Sequence, residues 1–301
     1  MYMTGFADEA SEKIDIQIEV TKRLGWKNIE ARGMFGSKNI ASISDAEFEE
    51  LQEKLSAAGI SINCYGSGIA NWAKPINQPP ESSYEELEKA IPRLHKLGTK
   101  MVRIMSFAVP DELKAKSWEL EDEVVKRVTH LVKMAEDAGL LLVHENCRNW
   151  GGLSFEHTLR LMDRVKSPNF KLVFDTGNPV FNEDLRGEPP YKRQSSWEFY
   201  KNVREFIAYV HIKDGRVLDD GSHVFTFAGE GEGNTVQIFE DLAKTGYDGG
   251  FSMEPHVASV FHAQSKSDDP DARRKIMYSS YIEYGRRFEK LLEKCREAAK
   301  N

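Results

Sequence analysis

The sequence predicts a closed (β/α)8 barrel, and three observations carry that prediction. Eight short apolar runs alternate with longer amphipathic ones, several amphipathic runs stop at a glycine, and ionisable residues gather at the carboxyl ends of four apolar runs. Alternating strands and helices favour a parallel sheet with helices outside it, and eight such repeats close a barrel. An open doubly wound sheet would usually place a Gly-rich phosphate loop after its first strand. Here that position reads Thr4-Gly5-Phe6-Ala7-Asp8, without G-x-G-x-x-G. At 301 residues the chain is near the size at which one domain still suffices, and residues 1–301 are read as one barrel domain.

The apolar runs are, in order, MTGF from Met3, NIEA from Asn28, ISINCY from Ile60, MVRIMSF from Met101, LLLVHEN from Leu140, KLVFDTG from Lys171, IAYVHIKD from Ile207 and GGFSMEPH from Gly249. Helical patterns fill the intervals at 14–24, 45–58, 84–97, 119–138, 155–165, 196–206 and 235–244. Gly25, Gly59, Gly98, Gly139 and Gly246 stand where a left-handed residue would end a helix. Ser44 and Ser154 are expected N-caps, and Ser44-Asp45-Ala46-Glu47 has capping-box spacing. The tail at 271–300, rich in Tyr, Arg, Glu and Lys, reads as one additional helix packed on the barrel exterior or against a partner subunit.

Composition excludes several classes. The chain has 41 basic and 48 acidic side chains, a formal net charge of −7, which argues against a broad nucleic-acid surface. Cys64, Cys147 and Cys295 are odd in number and form no C-x-x-C pair, so a reducing, cytoplasmic setting is the simpler expectation. The start, MYMTGFADEASEK, turns acidic at once and lacks a secretory pattern. The apolar stretches are strand-sized, too short for a membrane-spanning helix.

The polar strand ends carry the chemistry, because active sites of such barrels form at the carboxyl end of the strands. Side chains alternate faces along a strand, so Leu141, Val143 and Glu145 share one face, as do Val173 and Asp175. Tyr209, His211 and Lys213 form a third set, and Ser252, Glu254 and His256 a fourth. If these faces point inward, Glu145, Asp175, His211 and Glu254 converge. Three buried carboxylates repel one another unless a cation neutralises them, and a divalent ion does so. The mixed set suits Mn2+, Co2+, Zn2+ or Mg2+, with Mn2+ favoured by its oxygen-rich character.

The HEN around Glu145, the DTGN from Asp175 to Asn178, VHIKD with His211, the GEG near Glu230 and GYDGGFSMEPH with Glu254 come in an order that resembles the xylose-isomerase-like TIM-barrel superfamily. Within it the chain is similar to the sugar phosphate isomerase/epimerase group, which includes ketose 3-epimerases, hydroxypyruvate isomerase and inosose dehydratase. The resemblance implies a single divalent metal on Glu145, Asp175, His211 and Glu254, with Glu145 and Glu254 as an acid–base pair on opposite faces of the substrate carbon. It departs at Asn178, where many relatives carry His; an amide can bond a hydroxyl but serves poorly as an acid or base. Apurinic-site endonucleases of the superfamily need further histidines where this chain has NCYGSG, RIMSFA and VLDDGSH, leaving only His223.

The implied reaction is proton removal beside a carbonyl to give an enediolate, followed by return of a proton to the same carbon or its neighbour. Expulsion of a β-hydroxyl from the same species would make the enzyme a dehydratase of an inosose-like polyol. A third reading is a sugar-binding barrel without turnover, against which the retention of both glutamates weighs. Expected substrate contacts are Glu30, Arg103, Asn178, Lys213, His256 and Trp150, with Trp72 and Phe181 as further aromatic candidates; Arg186 and Arg216 are read as solvated loop charge ahead of anion binding. His144 has the opposite parity to Glu145 and is expected behind the barrel wall, while His95, His130 and His157 are read as surface or packing residues. The expected partner is a small carbohydrate or polyol; the loops at 178–195 and 215–233 would cover the site or build a homo-oligomer interface.

Overall fold

A computed structural model describes residues 1–257 and 269–300. Eight parallel strands run in the order β1 (Tyr2–Gly5), β10 (Gly250–Met253), β7 (Ile207–Ile212), β6 (Phe170–Asp175), β5 (Leu141–Glu145), β4 (Met101–Ile104), β3 (Ser61–Gly66) and β2 (Asn28–Ala31). A parallel bridge between Phe6 and Glu30 joins the two ends of that sheet. The result is the expected barrel, with a short antiparallel hairpin, β8 (Gly215–Val217) and β9 (His223–Phe225), inserted after β7.

Helices fill the intervals: α1 (Ile14–Arg23), α2 (Asp45–Ala58), α3 (Glu81–Leu97), α4 (Glu121–Asp137), α5 (Phe155–Val165), the one-turn α6 (Asn178–Phe181), α7 (Ser196–Val203) and α8 (Thr235–Lys244). The glycines at 25, 59, 98, 139 and 246 all have φ between 65° and 77°, the left-handed region a side chain disfavours, and there the chain turns toward the next strand. Ser44 and Glu47 form the reciprocal capping box, and the Ser154 hydroxyl accepts from the His157 amide. The tail forms α9 (Pro270–Ala298), which packs on the barrel exterior against α8 and α1 through Tyr281, Tyr284, Phe288 and Leu292. Its Glu289 accepts a 2.6 Å hydrogen bond from the Trp26 indole.

Two layers of apolar side chains result. The larger lies between sheet and helices, and a smaller one of Cys64, Val143, Val173 and Tyr209 fills the barrel interior. Val143 and Val173 share parity with Glu145 and Asp175, and Tyr209 with His211, so the inward faces are those predicted. A one-residue register shift between Leu172 and Val173 then sets Asp175 directly beside His211.

His157 is packed, and deeply. Its ring stacks on Trp118 at 3.7 Å and bonds Ser154 and Ser117, with no exposed surface. Burial pushes its imidazole down to about 3 from an ordinary 6.5. The unfolded chain therefore takes up the proton first, and stability is lost as pH falls from 6.5 toward 3. The expected loss by pH 5 is about 2 kcal/mol from this residue. Urea unfolding of wild type and His157→Gln at pH 7.5 and 5.0 measures it; equal pH dependence in the two proteins would remove the assignment.

Candidate metal centre and its cavity

The four convergent side chains arise from strand ends locked to one another. The Asn146 side chain donates to the Asp175 carbonyl at 3.0 Å and accepts from the Asp175 amide at 2.7 Å, pinning β5 to β6. Asp175 uses Oδ1 for the amides of Gly177 and Asn178, at 2.8 and 2.7 Å, which turns Oδ2 inward. A side chain on Gly177 would strike Lys213, at 2.8 Å from its Cγ, so the DTGN turn needs that glycine for close approach. Asp214, the last residue of VHIKD, accepts from the amides of Gly229 and Gly233 and from Thr235, so the GEG segment wraps a buried carboxylate. Its Glu230 is exposed and pairs with Arg287.

Glu145, Asp175, His211 and Glu254 each offer one ligand atom, all within 4.8 Å of one another, and all four residues are buried. Among the described residues His211 Nδ1 has no hydrogen-bond partner, and it lies 3.7 Å from Glu145 Oε1. Among the described residues, Asp175 Oδ2 and Glu254 Oε2 have no hydrogen-bond partner and face the Lys213 ammonium, at 3.1 and 2.8 Å. Buried polar atoms without partners are costly, and a donor set of three carboxylates and one imidazole fits a divalent cation. The residues present therefore fit a metal.

The imidazole is held from behind. Glu30 accepts from His211 Nε2 at 3.0 Å and from the Tyr209 hydroxyl at 2.8 Å. Asn63 donates to Tyr209 at 2.9 Å and accepts from Thr4 at 2.8 Å. Burial works against charge on His211, yet Glu30 and Glu145 push its pKa up to about 10. Glu30 itself is lowered: burial opposes ionisation, and the His211 imidazole outweighs it.

Charges around the two glutamates differ. For Glu145, burial is outweighed by Arg103 (Nε at 3.4 Å from Oε2) and by His211, which hold it at about 2. Glu254 is likewise lowered against burial by Lys213, His256 and Arg32. Arg32 donates to Glu254 Oε1 at 2.8 Å while its Nε is held by Asp8 at 2.8 Å, and it lies over the Phe6 ring. His256 sits between Glu9 (3.2 Å) and Glu254 (3.3 Å).

Above these residues the cavity has two lobes. The inner lobe, about 660 Å3, is lined by Arg32, Arg103, Glu145, Glu254 and Asp8 among others. The outer lobe, about 810 Å3, reaches Asn178, Phe181, Arg148, Arg193 and His223. Trp72, Cys147, Lys213 and His256 border both.

Of the expected substrate contacts, Arg103, Asn178, Lys213 and His256 line this cavity. Asn178 bridges, donating to Glu145 at 2.9 Å and accepting from Lys213 at 3.1 Å. Two expectations need correction. Glu30 lines neither lobe; it lies inside the barrel as the carboxylate that orients His211. Trp150 is fully buried beneath the segment 111–120, its indole donating to the Ser117 carbonyl at 2.7 Å, and cannot face a ligand. The exposed Trp72 and the buried Phe181 line the cavity, together with Phe225. Arg186 and Arg216 line neither lobe, in keeping with their reading as loop charge: the first is held by Asp184 and Glu198, the second by the Glu230 carbonyl. His144 lies behind the wall as expected, bonded to Ser106 and Asn149 at 3.0 Å. Sequence reasoning passed over Arg32, Asp8 and Glu9, whose only signal was their place just after β1 and β2.

The model of a family described as the xylose isomerase-like TIM barrel matches residues 18–280. The chain belongs to that family. Among curated relatives of this xylose isomerase-like barrel, the uncharacterised protein MJ1311 of Methanocaldococcus jannaschii is 27% identical over 173 residues, 56% of this chain and 55% of that protein. The match thus spans about half of that relative's length. An inosose dehydratase of Bacillus thuringiensis is 28% identical, with 63% of this chain and 70% of that one covered. Among solved structures, a xylose isomerase-like barrel from Mycobacterium smegmatis in complex with magnesium superposes with a TM-score of 0.65 at 20% identity, covering 93% of this chain and 88% of that one. A D-psicose 3-epimerase from Clostridium cellulolyticum H10, with D-tagatose, gives 0.62 at 17%, covering 95% and 98%. At such identities the structural likeness concerns the fold. Among the described residues no helix is long and apolar enough to cross a membrane.

Proposed function

We propose that this protein is a divalent-metal-dependent isomerase or epimerase of a small sugar or sugar derivative, with Glu145 and Glu254 as its acid–base pair. The observation that carries the reading is the convergence of inward-turned Asp175 Oδ2, His211 Nδ1 and Glu254 Oε2 with Glu145, beneath a cavity that Glu145 and Glu254 line. Glu145, Asp175, His211 and Glu254 would hold the ion, Mn2+ being favoured by the donor set and Mg2+, Co2+ or Zn2+ also suited. Such an ion supplies Lewis-acid polarisation of a carbonyl, which acidifies the neighbouring C–H.

The protein's own groups do the rest. Glu145 and Glu254 are both held ionised, so either can accept a carbon-bound proton. One carboxylate takes the carbon-bound proton; for inversion the other, having first taken a proton from water, gives it to the opposite face, whereas for isomerisation the proton just removed is returned to the adjacent carbon. Arg103 and Lys213 put positive charge where an enediolate oxygen develops its negative charge. Asn178 orients Glu145 and can accept from or donate to a hydroxyl as Lys213 and Glu145 release it.

A dehydratase is the second reading, favoured by the inosose dehydratase relatives and by two cationic donors, Lys213 and His256, beside Glu254. Either could protonate a departing β-hydroxyl. Proton NMR in D2O of the Mn2+-loaded protein with a panel of ketoses and inososes separates the readings. Loss of a C–H signal with formation of an isomer supports the first, and an ultraviolet-absorbing enone supports the second. Confirmed metal loading with no exchange on any compound would sink both for that panel.

A further inference from the structure

We infer that the outer lobe is an anion subsite, in which Arg148 and Arg193 take a terminal carboxylate or phosphate of the sugar or polyol whose reacting carbon lies over Glu145 and Glu254. The inference rests on the proposed function for the position of that carbon, but not for the anion site itself.

The charge pattern of the lobe carries it. Besides Lys213, which is held by Asp175 and Glu254, three cationic side chains, Lys114, Arg148 and Arg193, face two acids, Asp111 and Glu183. Lys114 holds both acids, at 2.8 and 3.2 Å. Arg193 donates from Nη1 to the Phe181 carbonyl, which fixes the side chain and leaves its charge uncompensated. The Arg148 side chain makes no hydrogen bond or ion pair among the described residues, its charge only adding to that of Lys114 in lowering Asp111. Two guanidinium groups thus border one cavity with no ion-paired carboxylate among the described residues, in a protein whose net charge is −7. Both act on one point: after burial, Arg148 and Arg193 are the charges that lower the His223 imidazole, disfavouring its charged form. Its ring is fixed against Phe181 at 4.8 Å.

The position suits a substrate tail. The outer lobe is continuous with the catalytic floor through Lys213, Asn178 and His256, and Trp72 stands exposed at the mouth of both lobes. An uncharged ketose such as the D-tagatose in the Clostridium structure would leave both guanidiniums unused. A carboxylate or phosphate monoester can take paired N–H donors from each, the geometry in which arginine binds anions best.

Calorimetric titration with two matched pairs tests the site: D-ribulose against D-ribulose 5-phosphate, and D-glucitol against D-gluconate. The titrations are run on metal-free and Mn2+-loaded protein. The charged member of at least one pair is expected to bind about tenfold tighter than its neutral partner. That advantage should shrink with added salt and fall below about threefold in the Arg148→Met/Arg193→Met double variant, but persist in Arg216→Met. An advantage for the phosphate alone, or the carboxylate alone, assigns the anion. Equal affinity within both pairs, or an advantage that survives the double variant, overturns the subsite. If the anion advantage persists while Mn2+ fails to bind, the metal reading fails and the subsite stands.

Discussion

Replacing either glutamate of the centre by glutamine is expected to lower net interconversion of substrate about 10³-fold, the usual weight of a positioned acid or base. The two variants should differ in what they retain. A proton removed by Glu254 cannot come from the face served by Glu145, so Glu145→Gln should still exchange the C–H that faces Glu254 with D2O, and Glu254→Gln the reverse. Glutamine keeps one oxygen for the ion, and bound Mn2+ followed by electron paramagnetic resonance shows whether each variant remains loaded. Loss of exchange from both epimers in either variant, with Mn2+ still bound, would rule out two separate bases. The environments of the pair make the test informative: Glu145 is held ionised by buried Arg103, whereas Glu254 depends on Lys213, His256 and Arg32. Removing charge at Glu254 therefore takes one shared acid from three cations, which keep only Asp175, Asp8 and Glu9, and Glu254→Gln should also bind anionic inhibitors more tightly than Glu145→Gln.

How much of this was legible in the sequence follows from which interactions are local. Strand parity is a two-residue rule, so the inward set of Val143, Glu145, Val173, Asp175, Tyr209 and His211 could be read directly. Helix stops were legible because glycine alone takes φ near +70° cheaply, and the capping box because its partners are three residues apart. Contacts set by pairing register or by distant segments were not. Glu30 stands at a strand end, which suggested a ligand contact, yet a register shift between Ile29 and Glu30 pairs it with Cys64 inside the barrel. Trp150 follows β5 in a loop, but the segment 111–120 covers it. Arginines in loops follow no period, so nothing local marked Arg148 and Arg193 as cavity residues and Arg186 as one neutralised by Asp184. The loops at 178–195 and 215–233 proved to border the cavity, through Phe181, Arg193, His223 and Phe225.

Glu30→Gln is expected to weaken Mn2+ binding 10- to 100-fold without touching any atom that would contact the ion. The carboxylate fixes the His211 ring by accepting from Nε2, which leaves Nδ1 as the atom turned toward Glu145, Asp175 and Glu254. Glutamine can accept the same bond but brings no charge and can also present its NH2 group, so the tautomer and ring orientation are no longer dictated. The chain of bonds from Thr4 through Asn63 and Tyr209 to Glu30 spans the barrel interior, so the support is rigid as well as charged. Tyr209→Phe removes one neutral bond to Glu30 and keeps its charge; about a threefold loss is expected there, less than the ~1 kcal/mol of a typical hydrogen bond would give if the ion felt all of it. Mn2+ titration of wild type and both variants, with thermal unfolding to confirm an intact barrel, measures the ranking. Unchanged affinity in Glu30→Gln would mean that packing against Phe6, whose ring lies 5.2 Å from His211, is enough to hold the imidazole in place.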